Sequence, residues 1–257
     1  MTNLVRMTNK TDVIAALAKG LRVIESFTAE RPRQSITDVA RATGLDRATA
    51  RRCLLTLHHE GYAEYDGKFF VLGPRALRLG MGALTAMPLA GVVQPWLDQL
   101  TEQIGQSCSV AILDETEIVY VARAAQARVM RIGLMPGSRL PAHLTSLGRV
   151  LLAALPEDQA RARLEAADLS PRTPHSLTDP AELMARLAQV RDAGFALIDQ
   201  EVELGLRSIA VPVHDGHGRV VAALNTGMAA TQDSMHALVD SYLPALQKTA
   251  QGLRRIL

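Results

Sequence analysis

The residues best suited to chemistry in the N-terminal third of the chain are arginines on one predicted helix, residues 46–60. Its apolar residues recur at helical spacing and should face inward: Ala50, Cys53, Leu54 and Leu57. The outward and N-terminal surface then carries Arg47, Ala48, Thr49, Arg51 and Arg52. Arginine binds guanine or phosphate, and the methyl groups of Ala and Thr contact thymine. The pattern therefore predicts a helix that enters the major groove of double-stranded DNA.

Two helices are predicted before it. The first runs from Asp12, its expected N-cap, to Phe27 with apolar residues at helical spacing. The second begins at Thr37 and ends at Gly44, because glycine commonly takes the left-handed conformation after a helix. A basic helix alone is also typical of an ordinary solvated surface, whereas two preceding helices and a tight turn favour DNA binding.

A hairpin is predicted after the basic helix, where Asp66-Gly67 favours a two-residue turn. On it, Lys68 is either a DNA contact or a solvated lysine. Helix, helix, turn, helix and hairpin is the order of a winged helix-turn-helix. Residues 10–80 carry 12 Lys and Arg against 8 Asp and Glu, whereas residues 81–257 carry 15 against 18. The asymmetry is small enough for chance, but it fits a DNA-binding module joined to a different domain.

The rest of the chain mixes helices with strands, which predicts an α+β domain. We expect a DNA-binding domain at 12–73, a linker helix at 74–87 and an effector-binding domain at 88–257. The predicted helical regions of the last domain span 88–105, 145–155, 157–193 and 231–256. Its predicted strands span 107–114, 117–124, 129–134, 195–201, 207–215 and 219–227.

The start of the helix predicted at 145–155 offers an anion site. The backbone amides of Ser146, Leu147 and Gly148 have no partner within the helix and carry partial positive charge. Thr145 and Ser146 add hydroxyl groups, although either of them is also a suitable N-cap. These groups suit a small carboxylate ligand.

Further ligand contacts are predicted on the strands. Ser208 and Asn225 interrupt apolar strands, and a buried polar residue needs a partner, either a ligand or backbone. The ring of an aromatic ligand is expected against Ile209 and Leu224. Arg139 and Arg149 are the first candidates to pair with its carboxylate, although most arginines lie at the surface or form salt bridges. The wider set of candidates contains Arg123, Arg131 and Arg207.

Other function classes find little support in the sequence. It has no GxSxG, HExxH or phosphate-loop motif, so we predict no enzyme activity and no cofactor. Cys53 and Cys108 form no CxxC motif, so no metal site is expected. No apolar run is long enough for a bilayer and no signal peptide is apparent, which predicts a cytoplasmic protein without a membrane partner.

The chain resembles the IclR family of transcription regulators from about residue 13 to residue 256. Residues 36–80 are similar to its winged helix-turn-helix and linker, and residues 194–215, GFALIDQEVELGLRSIAVPVHD, fit its signature segment. Ile198 departs from that signature, where an acid or serine is usual. The resemblance implies a GAF-like effector domain and a dimer or a dimer of dimers.

Within that family, the double arginine Arg51-Arg52 and the segment 138–153, SRLPAHLTSLGRVLLA, resemble the subgroup that controls protocatechuate and 4-hydroxybenzoate catabolism. His143 stands where a tyrosine is expected, which implies a change in the aromatic acid that fits. The function implied is effector-controlled binding to a DNA operator. The alternatives are a regulator that responds to another small carboxylate, a constitutive DNA-binding protein whose second domain only oligomerises, and an enzyme that turns over a small acid.

Overall fold

The computed structural model describes residues 13–28, 31–80, 88–126, 133–230 and 235–257. By its internal contacts the chain divides into two compact units, residues 1–83 and 84–257. The first unit has one hydrophobic core, and the second has a core on each face of its sheet.

The described residues of the N-terminal unit form helices and a small antiparallel sheet. The elements are α1 (Ala15–Glu25), β1 (Arg33–Gln34), α2 (Ile36–Thr43), α3 (Arg47–His59), β2 (Ala63–Tyr65) and β3 (Phe70–Leu72). The sheet order is β1-β3-β2. Val23, Val39, Ala50, Leu54 and Phe70 are fully buried between the helices and the sheet. The predicted winged helix-turn-helix is therefore confirmed.

The helix starts differ from the prediction in two places. The N-cap of α2 is Ser35 rather than Thr37: the Ser35 hydroxyl accepts from the Asp38 amide, and the Asp38 carboxylate accepts from the Ser35 amide. This capping box needs an acid three residues after the cap, which Asp38 supplies. The N-cap of α1 is Ile14, which makes no side-chain cap, and Asp12 lies outside the described residues.

The wing turn is longer than predicted. Tyr65 pairs with Phe70, so the loop holds four residues, Asp66 to Phe69, rather than two. The Asp66 carboxylate accepts hydrogen bonds from the amides of Lys68 (2.9 Å) and Phe69 (2.8 Å). Asp66, which predicted a two-residue turn, therefore stabilises a four-residue turn instead. The sheet also contains β1, a two-residue strand too short to be predicted from its sequence pattern.

The predicted linker is described only in its first half. Pro74–Ala76 forms a 3₁₀ turn and residues 77–80 are helical, whereas residues 81–87 lie outside the described residues. Arg75 fixes the direction of this turn, because its Nη1 donates to the Glu60 carbonyl at the end of α3 (2.7 Å). Its guanidinium also lies 5.1 Å from the centre of the Tyr62 ring.

The C-terminal unit is built on a six-stranded antiparallel sheet in the order β6-β5-β4-β9-β8-β7. Its strands are β4 (Ser107–Asp114), β5 (Glu117–Ala124), β6 (Arg139–Pro141), β7 (Ala196–Asp199), β8 (Leu206–His214) and β9 (Val220–Ala229). Its helices are α4 (Pro88–Ile104), α5 (Ser146–Ala153), α6 (Glu157–Ala166), α7 (Pro180–Ala193) and α8 (Met235–Leu253).

The two faces of this sheet bury different helices. Helices α4 and α8 pack on one face, and α5, α6 and α7 on the other. A Cβ atom on Gly252 of α8 would lie 2.3 Å from the indole of Trp96 on α4, so the two helices touch at this glycine. The predicted α+β architecture is confirmed.

One strand and one helix end need correction or lie outside the described residues. The strand predicted at 129–134 falls mostly on residues 127–132, which are not described, and Gly133 and Leu134 are not in a strand. Among the described residues, β5 pairs with β4 on one side and with β6 on the other. Residues 231–234 of the predicted last helix are likewise not described.

Candidate DNA-binding surface and ligand cavity

Helix α3 presents the predicted basic residues to solvent. Its first turn is capped by Asp46, whose carboxylate accepts from the Thr49 amide (2.8 Å). Arg47, Ala48, Arg51 and Arg52 are exposed and Thr49 is half-buried. Within the described part of the chain, none of the three arginines lies within ion-pair distance of a carboxylate. The helix therefore offers its full positive charge to a polyanion.

The hairpin between β2 and β3, which forms the wing, adds a lysine ammonium to the arginine guanidinium groups of α3. Lys68 is exposed at its tip, with Nζ 5.1 Å from the centre of the Phe69 ring. The Arg33 guanidinium lies over the same ring but is paired with Asp66. Hydrogen bonds from Arg33 and from the Phe69 and Lys68 amides hold the pKa of Asp66 well below its usual value. The loop thus keeps an ionised carboxylate at its base.

A small cavity lies in the second unit, between the sheet and the first turn of α5. Four of the predicted ligand residues meet there: Thr145, Ser146, Ser208 and Asn225. The other lining residues are Ser107, Tyr120, Arg123, Leu134, Leu140, Val202, Leu206 and Gly227. Residues distant in sequence are thus assembled by strand pairing and by one helix start.

The strand register explains the floor of this cavity. Gly227 pairs with Ser107 on one side and Ser208 on the other, so the three form one row across the sheet. Cross-strand partners lie only about 5 Å apart, so such a row acts as one surface. Because Gly227 has no side chain, the row leaves space at its centre. Arg123, Ser109 and Asn225 form a second row in the same way.

The first turn of α5 supplies the opposite wall. The Thr145 hydroxyl accepts from the Gly148 amide (3.0 Å), so Thr145 is the N-cap. The Ser146 hydroxyl donates to the Ser208 hydroxyl (2.8 Å) and joins the helix to β8. A Cβ atom on Gly148 would lie 2.1 Å from the Ala142 carbonyl oxygen, so only glycine allows this approach between the helix and the preceding 3₁₀ turn, Ala142–Leu144.

Arg123 is the one cation among the described residues that line this cavity, and the sequence placed it only in the wider set of candidates. Its Nη1 donates to the Ser109 hydroxyl (3.0 Å), and the side chain is half-buried. Among the described residues no carboxylate lies within ion-pair distance of it. The signal available in the sequence was a charged residue inside the apolar strand EIVYVARA.

The two arginines preferred from the sequence lie elsewhere. Arg139 is partly exposed and pairs with Asp114 (2.8 Å) and Glu117 (2.7 Å). Arg149 is buried, donates to the His143 carbonyl (2.9 Å) and pairs with Glu201. Neither lines the cavity.

The other predicted contacts have different outcomes. The side chain of Leu147 is buried in the core beneath α5, so only its backbone amide remains as a candidate contact. Arg207 pairs with Asp199 (2.8 Å) and does not line the cavity. Arg131 lies outside the described residues, so its contact stays a prediction.

The apolar wall was predicted on the wrong face of the sheet. Ile209 and Leu224 pack on the face covered by α4 and α8. Side chains alternate along a strand, so the neighbours of Ser208 and Asn225 must point away from the cavity. Its apolar surface comes instead from Tyr120, Leu134, Leu140, Val202 and Leu206. Burial raises the pKa of Tyr120 to about 12, so its phenol stays protonated.

His143 does not line this cavity. It is buried in the 3₁₀ turn before α5 and borders a separate groove with Thr116, Asp168 and Arg172. Burial, followed by the nearby charge of Arg149, lowers the pKa of His143 to about 4. The difference from the expected tyrosine therefore lies outside the cavity wall.

The described residues hold neither a metal-binding cluster nor a membrane-spanning helix. They contain no group of three or more His, Cys, Asp or Glu side chains placed to hold a metal ion. No helix in that part of the chain is both long enough and apolar enough to cross a membrane.

Comparison with known protein families matches both units. Residues 16–67 match the IclR helix-turn-helix domain, and residues 81–255 match the family described as bacterial transcriptional regulator IclR C-terminal. The chain belongs to the IclR family of transcription regulators. It is thus a DNA-binding regulator with an effector-binding domain, rather than an enzyme.

Relatives of this IclR-family regulator extend over nearly its whole length. It is 40% identical to the Pca regulon regulatory protein of Pseudomonas putida, over 96% of this chain and 85% of that protein. It is 39% identical to the p-hydroxybenzoate hydroxylase transcriptional activator of Acinetobacter baylyi, over 95% and 92%. The subgroup inferred from residues 138–153 is therefore confirmed.

Two solved structures of similar regulators contain aromatic acids. The inducer-binding domain of a PobR double mutant from Acinetobacter, in complex with 3-hydroxybenzoic acid, is 37% identical (TM-score 0.62), covering 65% of this chain and 98% of that one. An IclR homologue from Microbacterium hydrocarbonoxydans, complexed with 4-hydroxybenzoate, is 27% identical (TM-score 0.73), covering 94% and 100%.

Proposed function

We propose that this regulator binds a monocyclic aromatic hydroxy acid in the cavity beside α5, and that occupancy changes its affinity for an operator. The observation that carries the proposal is the half-buried guanidinium of Arg123, which has no carboxylate partner among the described residues, at a cavity lined by hydroxyl and apolar groups. The hydroxybenzoates bound by two similar regulators support the same ligand class.

The cation, the apolar residues and the hydroxyl groups of the lining suit different parts of the ligand. A carboxylate loses its hydration on entry, and a guanidinium replaces that water with charge-assisted hydrogen bonds. We therefore place the carboxylate at Arg123 and the ring against Leu140, Val202 and Leu206. A ring hydroxyl would meet Ser208, whose hydroxyl already accepts from Ser146 and so has its own proton to donate.

Isothermal titration calorimetry tests the charge directly. The ligands are 4-hydroxybenzoate and 4-hydroxybenzamide, which have nearly the same shape but differ in charge. Wild-type protein should bind the acid at least about tenfold more tightly than the amide, since a charged hydrogen bond contributes about 1.5–3 kcal/mol. The Arg123→Met variant should bind both with similar affinity.

The control is Arg139→Met, because Arg139 is paired outside the cavity and its loss should preserve the preference for the acid. If Arg123→Met kept the preference as well, the carboxylate would lie elsewhere, and the amides of Ser146 and Leu147 at the start of α5 would be the next site to test. If the wild type bound neither ligand, the effector class would be wrong.

The DNA-binding surface that we propose consists of Arg47, Ala48, Thr49, Arg51 and Arg52 on α3, with Lys68 on the wing. Five of these residues are exposed and Thr49 is half-buried. Among the described residues, no carboxylate forms an ion pair with the four cationic side chains. Both observations support the assignment. Because its target is DNA, we infer that the protein acts in the bacterial cytoplasm.

We propose that the protein acts as a dimer at least. Winged modules read short sites, and palindromic operators match two-fold assemblies. Ile14, Leu17 and Leu21 on one side of α1 are 68%, 60% and 48% exposed, which supports burial against another chain. A monomeric mass by light scattering, with operator affinity intact, would contradict the dimer.

A further inference from the structure

The buried ion pair between Arg149 and Glu201 connects the effector cavity to the loop between β7 and β8. The two side chains are only 2% and 12% exposed. Arg149 lies one turn after Ser146 on α5, so the first turn of this helix is bonded at two points. Ser146 donates to Ser208 on β8, and Arg149 binds the loop that precedes that strand.

Glu201 is the centre of a larger network. Its carboxylate also accepts from the Leu177 amide (3.0 Å), and its carbonyl accepts from the Ser176 hydroxyl (2.6 Å). The preceding residue, Gln200, has a left-handed backbone (φ 57°), and its side chain accepts from the Gly205 amide (2.9 Å). The loop is therefore held at its two ends and at its first buried side chain.

The next residue along the loop, Val202, is a wall of the cavity, and so is Leu206 at the start of β8. Val202 is 7% exposed and packs in the core beneath α5. We propose that Arg149 and Glu201 are positioning residues that hold this wall in place, and that the wall sets which ring substituents the effector site accepts. The proposal rests on the function proposed above.

An ion pair suits this role better than general stabilisation. Burying two charges costs solvation energy that their attraction often only repays, so a buried pair adds little net stability. It does restrict geometry, because a guanidinium that already donates to the His143 carbonyl can donate to the Glu201 carboxylate only within a narrow range of orientations. Replacement of both residues by apolar ones should therefore leave the domain folded while it frees the loop.

The test compares wild type with the double variant Arg149→Met/Glu201→Leu. The matched control is Arg161→Met/Glu157→Leu, which removes an exposed Arg–Glu pair on α6. Hydrogen–deuterium exchange follows the amides of residues 200–206. Calorimetry measures the dissociation constants of benzoate, 3-hydroxybenzoate, 4-hydroxybenzoate and 3,4-dihydroxybenzoate.

In the double variant we expect at least about tenfold faster exchange in this loop and at least about fivefold change in the ratio of dissociation constants between the tightest and weakest ligands. The control should match wild type in both. Unchanged exchange would overturn the positioning role. Equal weakening of all four ligands would also overturn it, because a purely structural role predicts loss without a change in selectivity.

A single variant, Val202→Ala, keeps the ion pair and widens the cavity at this wall. It therefore tests whether the wall sets ligand selectivity if the double variant does not fold. It should favour the more substituted rings without faster exchange at Glu201, and unchanged ratios would contradict the proposal. Failure of the wild type to bind any of the four acids would refute the proposed effector class instead, while the exchange experiment would still report on the loop.

Discussion

The arginines of α3 differ from Arg139 and Arg149 of the C-terminal unit in whether a carboxylate of the same unit neutralises their charge. On α3, Arg47, Arg51 and Arg52 are exposed, and the acid that precedes them in sequence, Asp46, is engaged as the N-cap. In the C-terminal unit, Arg139 and Arg149 each pair with carboxylates of their own domain. The difference teaches that an arginine indicates a ligand only where no acid of the same fold neutralises it.

The largest effect should come from the α3 surface. Simultaneous Arg47→Ala, Arg51→Ala and Arg52→Ala replacement removes three charges, and each contact contributes about 1–3 kcal/mol if it reads a base. We expect operator binding to fall to the non-specific level in fluorescence anisotropy, with a smaller salt dependence. The control Arg161→Ala removes an exposed arginine from the other unit. Operator affinity equal to wild type in the triple variant would break the comparison.

The next largest effect tests the helix start at the cavity. Gly148→Ala places a methyl group against the Ala142 carbonyl and should lower the free energy of unfolding by about 3 kcal/mol. Gly20→Ala is the matched control, because a Cβ atom there meets nothing within 4 Å and alanine favours helix. Urea denaturation measures both, and equal midpoints would mean that α5 can move away from the turn.

A selective loss of effector binding would sharpen the comparison further. Ser146→Leu fills the cavity and removes the hydrogen bond to Ser208, so affinity for the acid should fall by at least about tenfold, or 1.4 kcal/mol. Operator binding without effector should stay close to wild type, because the substitution lies in the other unit. If calorimetry gave unchanged affinity, the ligand would not approach α5.

The pH dependence of stability tests the buried histidine that lies outside the cavity wall. Because the pKa of His143 falls from 6.5 to about 4 in the folded state, the unfolded chain binds more protons between these values. His143 therefore costs the fold no stability above pH 6.5, and it destabilises the fold progressively as the pH falls toward 4, by about 3 kcal/mol in total. His143→Phe should flatten this part of the urea-denaturation profile, while His217→Phe, an exposed control, should not. An identical slope in wild type and His143→Phe would disprove this origin.

The smallest effect concerns the wing. Lys68→Ala should weaken operator binding by less than about 1 kcal/mol and reduce the salt slope by about one, if Lys68 holds a phosphate. Anisotropy titrations over a range of salt concentrations measure both. An unchanged slope would leave Lys68 as a solvated lysine and confine the DNA contacts to α3.

The sequence predicted the DNA-binding unit more completely than the cavity, for a physical reason. The α3 surface depends on one helix, so the spacing of Ala50, Leu54 and Leu57 alone determines which residues face outward. The cavity depends on strand pairing and side-chain alternation between distant segments. Local polarity correctly singled out Ser146 and Ser208, which a 2.8 Å hydrogen bond joins.

The sequence-based predictions were wrong where a residue's role depends on an ion pair or a strand partner elsewhere in the chain. Nothing local to Arg149 shows that Glu201, far along the chain, neutralises it, or that Arg123 has no such acid among the described residues. The wing shows the same limit on a smaller scale: Asp66 signals a turn, but the register of Tyr65 with Phe70 fixes its length.

The contact between Trp96 and Gly252 makes the chain its own optical probe. Trp96 is the only tryptophan, so indole emission has a single source. Its ring lies against α8, on the face of the sheet opposite the cavity, where a bound acid cannot touch it. A change in that emission when effector is added would therefore report a rearrangement that has passed through the sheet, without any label attached to the protein.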